Sequence, residues 1–150
     1  MKKKNVSIVI PILNEGKNII QLVKQIKNVI NKINIDKFEL IFIDDNSSDN
    51  THNLLKKIVK SKKFVRYYIR RNLKPDLSKS CVLGFDKAKY ENILVMDGDL
   101  QHPPKYINQM IKEYEKGNDV VQMVKSNQGK RSIIQKISSS LFYFIFSKIS

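Results

Sequence analysis

The chain has 150 residues, 41% hydrophobic and 28% charged, the ordinary balance of one globular domain with a real core. Its 28 Lys and Arg residues against 14 Asp and Glu give a formal charge of +14, which points to an anionic membrane face or a nucleic acid, or to no more than a lysine-rich solvated surface. The single cysteine, Cys81, excludes an internal disulfide framework and fits a reducing compartment; no apolar run is long enough to span a bilayer, and Pro11, Asn14 and Glu15 cut short the stretch that would make a signal peptide of the N-terminus, so a soluble or surface-lying chain is expected.

Val6 to Pro11 is a short apolar run ended by proline and predicts a buried strand. Asn14 then stands where a helix N-cap would, and Ile19, Leu22, Val23, Ile26, Ile30 and Ile33 follow at helical spacing. Phe38 to Ile43 predicts a second buried strand, which runs into the acidic, turn-rich stretch from Asp44 to Thr51. A helix is predicted from Thr51 to Lys60, with Leu54, Leu55, Ile58 and Val59 on its apolar side. Val65 to Ile69 predicts a third strand, Asn72 to Asp76 a loop, and Ser78 to Lys89 a helix carrying Val82, Leu83 and Phe85. Asn92 to Met96 predicts a fourth strand that ends at Asp97-Gly98-Asp99. Pro103-Pro104 opens a helix carrying Tyr106, Ile107, Met110, Ile111 and Tyr114, which stops near Gly117; Asp119 to Val124 predicts a fifth strand.

The remaining segment, Ser132 to Ser150, is rich in Ile and Phe, flanked by Lys136 and Lys148, and interrupted by Ser138 to Ser140. Two readings stay open: an amphipathic helix lying in a membrane interface, or a core helix whose partner elements are absent from this chain. The expected organisation is therefore one domain over residues 1–131 and a helix over 132–150.

Strands that alternate with helices predict an α/β fold: a mostly parallel sheet with helices on both faces. Such sheets bind ligands outside the carboxyl ends of their strands. Asn14 and Glu15 follow the first strand, Asp44 and Asp45 the second, Asp97 and Asp99 the fourth, so three stretches converge on one edge. Two carboxylates at i and i+2 around a glycine can approach one cation, and hard oxygen ligands suit Mg²⁺ or Mn²⁺ with a substrate diphosphate. Gln101 adds a neutral oxygen, whereas His102 reads as a structural hydrogen-bonding residue. Asp44 and Asp45 read either as turn carboxylates, with Asp49 capping the next helix, or as acceptors for a base or ribose.

Three stretches, Val6 to Glu15 (VSIVIPILNE), Glu39 to Thr51 (ELIFIDDNSSDNT) and Ile93 to Pro104 (ILVMDGDLQHPP), resemble the family 2 inverting glycosyltransferases with the GT-A, Rossmann-like fold. The last is similar to the Asp-X-Asp-Leu-Gln-His-Pro-Pro signature of polyprenol-phosphate sugar synthases of the dolichol-phosphate mannose synthase type. Arg70-Arg71 and Leu77 to Phe85 fit the same subfamily. The resemblance implies a GDP- or UDP-hexose donor contacted by Pro11, Asn14, Glu15, Asp44 and Asp45. It implies that Asp97 helps hold metal and sugar, and that Asp99 and Gln101 bind Mg²⁺ or Mn²⁺. It implies a polyprenyl phosphate acceptor that attacks the anomeric carbon with inversion and, being largely ionised, requires no strong general base. Lys125 stands where the family places an Arg after the fifth strand; with Arg131, and Lys136 behind it, it is a candidate to hold the acceptor phosphate. Lys supplies charge but no bidentate fork.

Leu13 stands where the family often has an aromatic, and Asp76 where the subfamily often has Gly. Catalytic domains of this kind usually continue with an acceptor-side motif, so the resemblance implies a fold incomplete at its C-terminus. The expected setting is the cytoplasmic inner face of a membrane, held peripherally, with self-association left open. The alternatives are a family 2 transferase acting on a saccharide and a truncated donor-binding fragment without turnover. A nucleic-acid partner rests on charge alone and is not expected, because the acidic edge repels phosphate in the absence of metal.

Overall fold

A computed structural model describes residues 4–71 and 74–123 of the chain, and the backbone of 142–146. In chain order the elements are β1 (Asn5–Ile12), α1 (Ile19–Ile30), β2 (Lys37–Asp44), α2 (Thr51–Ser61), β3 (Val65–Ile69), α3 (Leu77–Lys87), β4 (Asn92–Val95), α4 (Ile107–Glu115), β5 (Val120–Met123) and β6 (Phe142–Phe146). A short 3-10 turn at Pro104–Tyr106 leads into α4, as the proline pair predicts. The strands form one sheet in the order β3-β2-β1-β4-β6-β5. The pairs among β1 to β4 are parallel, while β6 runs antiparallel to both β4 and β5.

The central strand, β1, is buried from Val6 to Ile12, so its near-continuous Val and Ile run serves two apolar faces at once. Val6, Ile8, Ile10 and Ile12 point to the side covered by α1, α2 and α4, where Leu22, Ile26, Leu55 and Met110 complete the larger core. Val9 points the other way and packs with Ile41, Ile43, Ile93 and Val95 under α3. The fit of α3 to the sheet is close: a Cβ on Gly84 would lie 2.2 Å from Val9 Cγ1. The stripe of α3 that is fully buried is Ser80 and Gly84, and Val82, expected on the apolar side, is 63% exposed.

The helix expected over 132–150 does not hold at Phe142–Phe146, which form β6 between β4 and β5. The run Phe-Tyr-Phe-Ile-Phe is aromatic and β-branched throughout, a composition that suits a pleated sheet better than a helix. The rest of 132–150 lies outside the described residues, as does the expected end of the fifth strand at Val124. Among the described residues no helix is long and apolar enough to cross a membrane.

Register brings the site edge into line. Ile12 pairs with Asp44, and Asp44 with Ile69, so β1, β2 and β3 end together. Met96 N–H still donates to Val9 C=O at 3.1 Å, after which the chain leaves the sheet and Gly98 passes the end of β1. A Cβ on Gly98 would meet Ile12 Cγ2 at 2.5 Å, so the residue between the two aspartates has no room for a side chain.

Candidate donor and metal site

Of the loops that leave this edge, three follow β1, β2 and β4. Among the described residues the non-glycine positions with positive φ are Asn14 (58°), Asn46 (65°) and Leu100 (60°), one in each loop. Asn tolerates this left-handed region; for Leu it is costly and marks a turn imposed by its surroundings.

The first two loops are laced together. Asn14 Oδ1 accepts from Ser48 N–H at 2.8 Å, from Ser48 Oγ–H at 3.2 Å and from Asp49 N–H at 3.3 Å, while Asn14 N–H donates to Ser47 Oγ at 2.8 Å. Asn14 is therefore not the cap of α1. That place belongs to Asn18, whose side chain donates to Glu15 Oε2 at 2.7 Å instead of capping. Asp49 accepts from Thr51 N–H at 2.9 Å and Gly16 N–H at 3.0 Å, joining the start of α2 to the first loop. Burial opposes the shift, but these hydrogen bonds hold the Asp49 carboxyl below its ordinary range.

Asp44 and Asp45 end β2 and are both buried. Asp44 Oδ1 accepts from Ser47 N–H at 2.9 Å, the turn-forming role open to it from sequence. Asp45 is held from three sides: Arg70 Nη1 donates to Oδ1 at 2.5 Å, Asp76 N–H to Oδ2 at 2.6 Å, and Ser80 Oγ–H to Oδ2 at 3.2 Å. Arg70 Nη1 also reaches Asp76 C=O at 3.0 Å and Ser80 Oγ at 3.2 Å. Asp76 then caps α3, its Oδ1 accepting from Lys79 N–H at 3.0 Å. That backbone hydrogen bond is the chief reason its carboxyl lies below the ordinary range.

Asp97 and Asp99 flank Gly98 beyond β4. Oδ2 of Asp97 is buried without a hydrogen-bond partner and lies 3.4 Å from His102 Nδ1. Burial raises the Asp97 carboxyl above its ordinary range, the charge of Asp99 adds to the rise, and His102 opposes it. Asp97, Asp99 and His102 each bring a ligand atom within 4.8 Å of the others. Asp99 Oδ1 accepts from Gln101 N–H at 2.9 Å, a tight turn across Leu100 that keeps Gln101 beside the pair. A buried carboxylate oxygen without a donor, next to a second carboxylate, fits a hard divalent cation, which supplies what both lack.

These groups share one cavity of about 440 Å³, lined at one end by Asp97, Gly98 and Asp99 and at the other by Asp45 and Pro75 to Leu77, with Pro11, Leu13 and Glu15 between. The structure thus brings Pro11, Glu15, Asp45, Asp97 and Asp99 to one cavity. Asn14, Asp44 and Gln101 do not line it; Asn14 and Asp44 fix the neighbouring loops by hydrogen bonds, and Gln101 is tied to Asp99 through its backbone N–H. Lys125, Arg131 and Lys136 lie outside the described residues. Two contributors were not anticipated: Arg70, noted in sequence only as part of a matching Arg-Arg pair, and Asp76 as a helix cap. The Asp two residues before the helix predicted from Ser78 was a readable sign of the cap. The partner of Arg70 lies 25 residues away and had none.

The model of the family described as glycosyl transferase family 2 matches residues 7–148. The chain is 33% identical over 149 residues to the putative glycosyltransferase CsbB of Bacillus subtilis, covering 99% of this chain and 44% of that protein. It is 35% identical over 115 residues to a dolichol-phosphate mannosyltransferase of Pyrococcus furiosus, covering 77% of this chain and 31% of the other. An undecaprenyl-phosphate 4-deoxy-4-formamido-L-arabinose transferase of Pseudomonas savastanoi is 32% identical over 127 residues, 83% of this chain and 37% of its own. The chain therefore spans less than half the length of these relatives. Among solved structures, TarS of S. aureus superposes with a TM-score of 0.63 at 22% identity, over 85% of this chain and 38% of its own. A mannosyltransferase of Pyrobaculum calidifontis, solved with GDP-Man and Mn²⁺, gives 0.58 at 16% identity, over 75% and 32%. Likeness at such identities establishes the fold.

Proposed function

The chain belongs to glycosyl transferase family 2, and from that premise we propose that it takes a hexose from a nucleoside-diphosphate sugar, in the presence of Mg²⁺ or Mn²⁺, and passes it with inversion to a polyprenyl phosphate. The observation that carries this reading is the Asp97-Gly98-Asp99 turn, with its orphaned buried carboxylate oxygen, at one end of a cavity whose other end is built around Asp45. Relatives named for polyprenyl-phosphate sugar transfer support the acceptor class.

Asp99 and Gln101 would hold the cation, and Asp97 would hold cation and sugar together. A bound divalent cation supplies positive charge against the charge that builds on the departing diphosphate. Asp97 also orients the sugar so that its anomeric carbon faces the acceptor. At the far end, three of the roughly four acceptor positions of the Asp45 carboxylate are filled by protein donors, leaving one for an N–H or O–H of the nucleoside. Pro11 and Glu15 flank the donor. Asn14 and Asp44 act through the loops they fix. Lys125 and Arg131 are assigned to the acceptor phosphate, where cationic groups matter more than a general base. The formal charge of +14 supports a peripheral seat on the anionic, cytoplasmic face of a membrane.

Calorimetry with GDP, UDP and their hexose conjugates, with Mn²⁺ and with chelator, tests the donor site. Binding of one nucleotide that chelator abolishes is the expected result; no binding by a folded sample would overturn the reading. Transfer of labelled hexose to polyprenyl phosphate in anionic vesicles, against a soluble saccharide as competitor acceptor, tests the acceptor.

A further inference from the structure

Five carboxylates line the cavity: Glu15, Asp45, Asp76, Asp97 and Asp99. Their cation partners are unevenly distributed. Asp45 is paired with buried Arg70 at 2.5 Å, and Asp76 faces Lys79 Nζ at 3.6 Å. Asp97 has only His102, at 3.4 Å, and among the described residues no Lys or Arg forms an ion pair with Glu15 or Asp99. One end of the cavity is formally balanced and the other keeps its negative charge. A nucleoside diphosphate has the complementary form: an uncharged base and ribose, and an anionic diphosphate that requires a cation beside it.

We infer that Arg70 is a positioning residue of the donor cavity, which by pairing with Asp45 and tying down Asp76 and Ser80 makes the Asp45 end the neutral, rigid seat of the nucleoside. This rests on the donor reading above and adds to it the residue that sets the polarity of the site. Arg70 is 6% exposed, and its Nη1 is already shared among Asp45, Asp76 C=O and Ser80. Its contribution is therefore made through its neighbours, not by touching the donor. With Arg70 removed, Asp45 becomes a buried, uncompensated anion beside the nucleoside, and the wall from Pro75 to Leu77 loses its anchor.

The test compares Mn²⁺ alone and Mn²⁺ with GDP or UDP on the full chain and its variants. Arg70→Gln is expected to weaken nucleoside diphosphate binding by about tenfold or more while leaving the affinity for Mn²⁺ alone unchanged, since Asp97 and Asp99 are untouched. Ser80→Ala, a smaller change on a helix, is expected to cost roughly threefold with the same Mn²⁺ affinity, and stands in if Arg70→Gln fails to fold. In turnover, Arg70→Gln raises the donor KM and leaves kcat unchanged. Unchanged nucleotide affinity in Arg70→Gln and Ser80→Ala overturns the inference, as does an equal loss of Mn²⁺ affinity, which would mark a purely structural role. Failure of the unaltered chain to bind any nucleotide would instead overturn the donor reading itself.

Discussion

Asp99 has no Lys or Arg partner among the described residues, and its Oδ1 is turned toward Gln101 N–H. Nothing in the fold depends on its charge, so Asp99→Asn is expected to abolish Mn²⁺-dependent nucleotide binding and leave the unfolding midpoint in chelator unchanged. Calorimetry and thermal melting check both halves, and undiminished nucleotide affinity would remove Asp99 from the metal site. Asn14 is the opposite case, a residue in the loops beside the cavity that works for the fold. Asn14→Ala forfeits three accepted hydrogen bonds and places a Cβ residue at φ 58° that lacks the local polar compensation of Asn. A loss of about 2 kcal/mol is expected in urea unfolding, with Asn14→Gly costing about 1 kcal/mol less. The carboxylates after β1, β2 and β4 were legible because each follows an apolar run, whereas Asp76 does not. The jobs of Asp45 and Arg70 were not, because side-chain partners across 25 residues leave no periodic trace.

At the scale of the element, α3 shows how a hydrophobicity pattern can miss the positions of closest contact: Leu83 and Phe85 pack against the core as expected, but they are not the fully buried stripe. Its buried positions are Ser80 and Gly84, one turn apart, and the close approach they permit leaves Val82 in solvent. Gly84→Ala would ordinarily favour a helix, but with Val9 Cγ1 at 2.2 Å from the new Cβ it is expected to destabilise the chain by about 1 to 3 kcal/mol. Guanidinium denaturation measures this, and Val9→Ala in the same chain should recover part of it; a stabilised Gly84→Ala would show that α3 is free to shift. The helices also carry the acid sensitivity. Asp49 and Asp76 each accept backbone N–H donors at a helix start, and their carboxyls lie below the ordinary range. A carboxyl depressed in the folded state contributes stability above its unfolded value of about 3.9, and that contribution is lost as pH falls through the folded value. Stability in chelator is therefore expected to drop on acidification below about pH 4. In Asp49→Asn the drop should be shallower; an identical acid limb would show that the cap does not titrate with unfolding. The α1 stripe was read correctly because Ile, Leu and Val fill it at helical spacing; in α2 and α4 the reading holds for Leu55, Ile58, Ile107, Met110 and Ile111, while Leu54 and Val59 are half-buried and Tyr106 is exposed.

For the whole molecule, the alternation of apolar runs with amphipathic helices was enough to read a parallel sheet and the edge at which its loops converge. The placement of Phe142–Phe146 was not, since an aromatic run among serines and lysines satisfies a helix or a strand equally well until its neighbours are known. Because β5 pairs only with β6 among the described residues, a chain ending before Phe142 is expected to leave β5 without that partner and to open the edge of β4. Such a chain is expected to aggregate and to unfold at a lower denaturant concentration, by light scattering and urea titration; an unchanged midpoint would show that β6 adds nothing to the sheet. The position of β6 also separates the order of synthesis from the order of assembly. β1 to β4 carry every carboxylate of the cavity and can pair as each leaves the ribosome, whereas β5 emerges with no strand to join until the chain has run on past residue 146. The half of the molecule that carries the cavity can thus take shape while its far edge is still waiting for its middle strand.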